Sequence, residues 1–207
     1  MDKKYRKFFE YVKSVTPLSG SHGLDHTLRV TRLCKLIGQA EGADMDVLIP
    51  AALLHDIARP AEKERGIPHE LEGARMAEEL LTTMGYDPER IFLIAGAIRT
   101  HRYRSDERPA TAEAKILSDA DKLDALGAIG IARTFMRAGE HGGDIADAVD
   151  HFHDKLLNLS DLLYTPTGRR IAEERHIFLT NFIGELEAET ELPADAARKE
   201  KKNENFF

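Results

Sequence analysis

Apolar residues in this chain recur every three or four positions and nowhere alternate for long, so the pattern reads as helix almost throughout. A first helix is predicted over 3–14, followed by a Gly-, Ser- and His-rich loop at 19–23. From Leu24 onward Val30, Leu33, Cys34 and Ile37 share one side, and His26 lies one turn before Val30 on that side. Asp44 can cap the next helix, whose stripe is Leu48, Ala51, Ala52, His55 and Ala58, with Pro60 limiting its length. Gly66 and Pro68 mark a loop before a helix predicted over 70–84 and stopped by Gly85. Asp87-Pro88-Glu89 combines a capping oxygen, a first-turn proline and an acid at the positive helix end. The helix it starts carries Ile91, Ile94, Ala95 and Ile98, with His101 one turn beyond.

After a loop over 102–109, Thr111 caps a long helix predicted through 136, with Ile116, Ala120, Leu123 and Gly127 as its stripe. Gly139 to Gly143 breaks the chain; helices over 145–163 and from Thr165-Pro166 to 189 complete the pattern. The expected fold class is all-α, with one domain over 1–190 and a charged, frayed tail over 191–207. The size fits a single core: 207 residues, 42% hydrophobic.

Charge and cysteine content narrow the function classes. A net charge of −7 argues against a stable complex with nucleic acid, which needs a basic face. Cys34 is the single cysteine and lies within a core stripe, so it reads as packing in a reducing compartment. The apolar stretches 47–54 and 91–98 are too short to span a bilayer, and the first residues lack a signal-peptide pattern. A cytoplasmic location is the expectation.

The chemistry concentrates at His55-Asp56, an ionisable doublet where an apolar stripe should continue. Buried polar groups need partners, and one divalent ion can use imidazoles and carboxylates together. His26 offers a second imidazole. The helix after Thr111 offers Asp119 and Asp121, which stand about 160° apart, so one of them at most reaches the ion. Periodicity does not choose between them. Two nitrogens and two oxygens suit manganese, iron, cobalt, nickel or zinc, with magnesium also admissible, better than calcium. A lone histidine on an apolar face is more often a satisfied core residue than a ligand. Doublets also recur by chance: His153-Asp154 is a second one, on a helix with its own stripe of Phe152, Leu156, Leu159 and Leu163, and is expected to face solvent.

The order His26, His55-Asp56, then Asp121 within Ile116-Leu117-Ser118-Asp119-Ala120-Asp121-Lys122-Leu123-Asp124-Ala125-Leu126-Gly127 resembles the HD-domain phosphohydrolase superfamily. The resemblance covers roughly 21–133. Thr165-Pro166-Thr167-Gly168-Arg169-Arg170, followed by Ala172-Glu173-Glu174-Arg175-His176, resembles its small single-domain bacterial and archaeal branch. It implies an all-helical fold, one divalent metal held by His26, His55, Asp56 and Asp121, and hydrolysis of phosphate esters or anhydrides, often of nucleotides. The family pattern, a ligand followed by Asp three positions on, favours Asp121 with Asp124 behind it.

Asp56 and Asp124 are the catalytic candidates; Asp124 could orient a ligand or act on water, or simply pair with Arg133 or Lys122. His69 and His101 could line a substrate cleft or be structural. Superfamily members with two metals carry extra histidines, but Arg102 here follows His101, which counts against a second ion. Arg99, Arg102 and Arg104 around His101, with Arg59 and Lys122, are candidates for phosphate binding because guanidinium forks match phosphate oxygens. A solvated loop is the plainer account of any single arginine there. His22 could close over the cleft, and Asp25 could support His26 or begin its helix. The expected partner is a small phosphorylated substrate such as a nucleotide, with no membrane. A phosphodiesterase of cyclic or oligonucleotide substrates, and a non-catalytic metal- or nucleotide-binding regulatory module, are the alternatives.

Overall fold

The computed structural model describes residues 5–17, 20, 22–103, 105 and 107–190. Its helices are α1 (Arg6–Val15), α2 (Leu24–Glu41), α3 (Met45–Leu54), α4 (Arg59–Arg65), α5 (His69–Thr83), α6 (Pro88–Arg99), α7 (Ala112–Asp124), α8 (Gly127–Glu140), α9 (Ile145–Asp154) and α10 (Pro166–Thr190). No strand occurs among the described residues, and no helix is long and apolar enough to cross a membrane. The tail expected from 191 onward lies outside the described residues.

The core forms around α3. Every residue from Val47 to Leu54 is buried, because α1, α2, α6 and α7 enclose the helix. A helix apolar all round has to be central, since no face of it tolerates water. The other helices are one-sided: α2 turns Val30, Cys34 and Ile37 inward, and α6 turns Ile94, Ala95 and Ile98 inward. Three expected caps form. Asp44, Asp87 and Thr111 accept the backbone N–H of Asp46, Arg90 and Ala114 at 2.8, 3.4 and 3.1 Å.

Three boundaries differ from the sequence expectation. The helix expected through 58 stops at Leu54, and 55–58 form a turn before α4. The long helix expected through 136 divides after Asp124; Gly127, at φ +68°, opens α8 in a new direction. The stripe Ile116, Ala120, Leu123, Gly127 hides that break, because Gly127 falls where the next helical contact would. The helix expected over 145–163 ends at Asp154 and continues as two 3-10 turns, Leu156–Asn158 and Ser160–Leu162. Leu156, Leu159 and Leu163 stay buried through those turns, so the apolar side persists while the helix does not.

Candidate metal centre and its cavity

The early end of α3 explains how both members of His55-Asp56 turn inward. On a continuing helix adjacent side chains diverge by about 100°. In the turn after Leu54 both are buried, His55 fully and Asp56 at 3% exposure. His26 enters from the first turn of α2 and Asp121 from the last turn of α7. His26 Nε2 lies 3.4 Å from Asp121 Oδ1, 3.5 Å from Asp56 Oδ2 and 3.4 Å from His55 Nε2. His55 Nε2 lies 3.6 Å from Asp56 Oδ2. Two imidazoles and two carboxylates thus converge from three elements.

Neighbouring groups set the tautomers. His26 donates its Nδ1–H to Asp124 Oδ2 at 2.7 Å, and His55 donates its own to the Ala52 carbonyl at 2.7 Å. Each Nε2 is left to face the cluster, the arrangement metal-binding histidines adopt. Burial pulls the His55 pKa down to about 4, which keeps that ring neutral and its lone pair free. Burial also opposes charge on His26, but hydrogen bonds to Asp121, Asp124 and Asp56 outweigh it and raise its pKa to about 10. That point in the protein favours positive charge, from a proton or from a metal.

Asp56 Oδ2 is buried with no hydrogen-bond partner, a costly condition unless something binds it. His26, His55 and Asp121 each offer a ligand atom within 4.8 Å of the others, and His55 and Asp56 do so together with His101, donor sets whose chemistry fits a divalent transition ion.

The other carboxylate oxygen faces a second set of groups. Asp56 Oδ1 accepts from Arg59 Nε at 2.9 Å and lies 3.4 Å from His69 Nε2 and 3.6 Å from His101 Nε2. Both histidines are fully buried, and both Nε2 atoms lack hydrogen-bond partners. Their Nδ1 atoms are engaged, His69 with Glu62 at 2.9 Å and His101 with the Ile98 carbonyl at 2.6 Å. His55, Asp56 and His101 also lie close enough to share an ion, as do Glu62, His69 and Glu70. The Arg59 guanidinium already neutralises Asp56 Oδ1, which favours the His26 side for a first cation.

A cavity of about 400 Å³ opens beside Asp121. Arg59, Arg102 and Lys122 line it, as do Arg133, Arg137 and Lys155, with His22 and His151. Asp121 is the sole acid on that lining among the described residues, although the chain as a whole carries −7. Lys122 Nζ is held by Ser118 Oγ at 2.5 Å and lies 4.9 Å from the centre of the Tyr164 ring; burial lowers its pKa. Arg102 is tethered to Glu62 and Glu70 at 3.0 and 3.1 Å.

Several sequence candidates are placed differently from the expectation. Arg99 does not line the cavity; it faces Glu78 at 3.8 Å, because α6 ends with that side chain turned toward α5. Arg104 lies outside the described residues. Asp124 is enclosed by His26, by Arg29 at 2.7 Å and by Arg133 at 2.8 Å. Both its oxygens accept hydrogen bonds from these neighbours, including the Nδ1–H of His26. Asp119 turns the other way and accepts from the backbone N–H of Tyr164 and Thr165, each at 2.8 Å, at the start of α10. His153 of the second doublet meets Glu187 at 2.6 Å, and Asp154 is exposed.

Arg133, Arg137, His151 and Lys155 were not among the cavity residues expected from sequence. A signal exists for them: Gly130, Arg133, Thr134 and Arg137 follow helical i, i+3, i+4, i+7 spacing, and His151 and Lys155 are i, i+4.

Comparison with known proteins agrees with this architecture. The HD domain family model matches residues 23–126. YpgQ of Bacillus subtilis is 35% identical over 195 residues, which is 89% of this chain and 93% of that relative. The crystal structure of YpgQ in complex with ADP superposes with a TM-score of 0.73 at 35% identity, over 91% of this chain and 98% of that one. A predicted HD superfamily hydrolase from an uncultured Thermotogales bacterium superposes with a TM-score of 0.69 at 33% identity, over 89% and 91% of the two chains. Ribonuclease Y of Chloroflexus aurantiacus is 35% identical over 104 residues, which is 50% of this chain and 18% of that relative. The chain belongs to the HD-domain superfamily of hydrolases, in a small, all-helical form.

Proposed function

We propose that this protein is a divalent-metal-dependent phosphohydrolase acting on a nucleotide or another small phosphorylated metabolite. One observation carries the reading: a two-histidine, two-aspartate cluster with an unpartnered buried carboxylate oxygen sits at the edge of a cavity whose arginines and lysines are balanced by Asp121 alone among the acids on its lining. The cavity volume, about 400 Å³, lies in the range of small-molecule sites. The likeness to YpgQ, which was solved with ADP, supports a nucleotide.

A divalent ion at the cluster supplies Lewis acidity toward a phosphoryl oxygen and toward the attacking water. The chain's own groups do the rest. Asp124 fixes the His26 ring, and Ala52 fixes the His55 ring, so both lone pairs stay aimed without rearrangement. Arg59 shares Asp56 between the cluster and the cavity, and with Arg102 and Lys122 it supplies positive charge where phosphoryl oxygens gain negative charge. His69 and His101 stand next to Asp56 with Nε2 facing it and help to order that carboxylate.

The match to ribonuclease Y over half of this chain favours a second reading, phosphodiester cleavage. Purified protein supplied with manganese, cobalt, nickel, zinc or magnesium should be assayed against nucleoside mono-, di- and triphosphates and a diester reporter. Metal-dependent phosphate or pyrophosphate release from nucleotides is the expected result. Turnover of the diester alone supports the second reading. No turnover of any substrate by metal-loaded protein overturns both and leaves a binding module.

A further inference from the structure

We infer that residues 59–68, with α4 at their centre, form a movable flap at the rim of the cavity, latched by Glu62 and drawn shut when an anionic ligand bridges Arg59 and Arg102. The inference rests on the reading of that cavity as a phosphate site and adds how the site closes.

The way this segment is fastened carries the argument. None of residues 59–68 is buried, whereas Ala58 before them and His69 after them are. Every other α-helix among the described residues buries at least two side chains, and α4 buries none. Packing is what ordinarily fixes a helix this short, because so few residues cannot hold helical form alone. Ion pairs take its place here. Arg59 Nε meets Asp56 Oδ1 at 2.9 Å, and Arg65 meets Glu72 at 3.2 Å. Glu62 meets His69 Nδ1 at 2.9 Å and Arg102 at 3.0 Å. Arg59, Glu62, Arg65 and Arg102 are all partly exposed, so water competes for these contacts and they hold weakly. A segment held in this way opens at far lower cost than the enclosed α3.

Both ends of the segment suit a pivot. It leaves the site two residues after Asp56 and returns at His69, whose Nε2 lies 3.4 Å from Asp56 Oδ1. Gly66 ends α4 at φ +70°, and a Cβ there would meet nothing, so the glycine serves the backbone turn and not packing.

The closing force comes from two cavity arginines on different elements. Arg59 is the first residue of α4 and Arg102 follows α6, and both line the cavity. Glu62 joins them, with Oε2 3.6 Å from Arg59 Nη1 and Oε1 3.0 Å from Arg102 Nη1. Among the described residues Arg102 gives only Nη1 to acids, which leaves its other N–H donors for a ligand. A phosphate that accepts from both guanidinium groups adds a charge-assisted link between the flap and the end of α6. A ligand without charge adds none.

Hydrogen exchange on the full chain loaded with manganese tests this, alone, with α,β-methylene-ADP, and with adenosine as the uncharged control. In the free protein the Glu62 and Gly66 amides, bonded to the Ala58 and Glu62 carbonyls, should exchange roughly a hundredfold or more faster than those of α3. The nucleotide analogue should slow residues 59–68 at least fivefold, and adenosine should not. Exchange in α4 as slow as in α3, or equal slowing by adenosine, overturns the flap. Calorimetry on the same samples separates the two readings. Binding of α,β-methylene-ADP without slowing overturns the flap and leaves the phosphate site standing; no binding overturns the phosphate site and the flap with it.

Two variants test the latch. Glu62→Gln should speed exchange of 59–68 in the free protein at least threefold, whereas Lys63→Gln, at an exposed position of the same helix, should leave it unchanged. Equal exchange in the two variants overturns the role of Glu62.

Discussion

Asp124 Oδ2 accepts the Nδ1–H of His26 at 2.7 Å, joining two buried side chains 98 positions apart in sequence. The same carboxylate receives Arg29 and Arg133, so three cationic or donating groups are organised by one aspartate. That contact holds His26 in one tautomer and one orientation.

Asp124→Asn should leave the helical content intact but weaken metal affinity by about 10–100-fold, the usual cost of losing a group that orients a metal-bound histidine. Competition with a chelator of known affinity measures it directly. Unchanged affinity in a folded variant would show that His26 does not depend on this contact.

The two His-Asp doublets should behave oppositely. His55→Ala and Asp56→Ala should each abolish retention of about one divalent ion per chain, since each removes a converging donor. His153→Ala and Asp154→Ala should keep it, because His153 is spent on Glu187 and Asp154 is exposed. Elemental analysis of the four variants after dialysis reads the contrast, and metal loss in the second pair would refute the assignment.

Two arginines close in sequence should separate in function. Arg102 lines the cavity, whereas Arg99 faces Glu78 away from it. A lost charge-assisted contact is worth about 1.5–3 kcal/mol, so Arg102→Ala should lower kcat/KM by roughly tenfold or more. Arg99→Ala should stay within about twofold, which is under 1 kcal/mol. The reverse order would move the phosphate contacts to the outer face of α6.

Stability should fall in acid partly through Glu72. Hydrogen bonds from Arg75 are the largest influence, with Arg65 adding to them, and they lower its pKa from 4.5 to about 2. Because the folded value is the lower one, the contribution is fully present above about 4.5 and is lost as pH falls toward 2. Glu72→Gln should therefore melt below wild type at neutral pH, and the gap should close by about pH 2. A gap independent of pH would assign the effect to packing.

Much of this protein is legible in one dimension. Apolar spacing of three and four residues identifies the helices, and Asp44, Asp87 and Thr111 mark three of their starts, because periodicity and capping are local properties of a segment. The residue types at His26, His55, Asp56 and Asp121 offer donors suited to a divalent metal whatever the packing. Tertiary structure decided the rest. It set Asp121 beside His26 and turned Asp119 to the start of α10, where it accepts from the backbone of Tyr164 and Thr165. It bent the chain at Gly127, where the stripe reads as unbroken, and so brought Arg133 and Arg137 from α8 into the cavity. It also turned Arg99 outward and stacked His69 and His101 behind Asp56. The physical reason is the same in each case: a hydrophobic pattern specifies which face of a helix is buried, but convergence of groups about a hundred residues apart depends on where each helix stops and what it packs against.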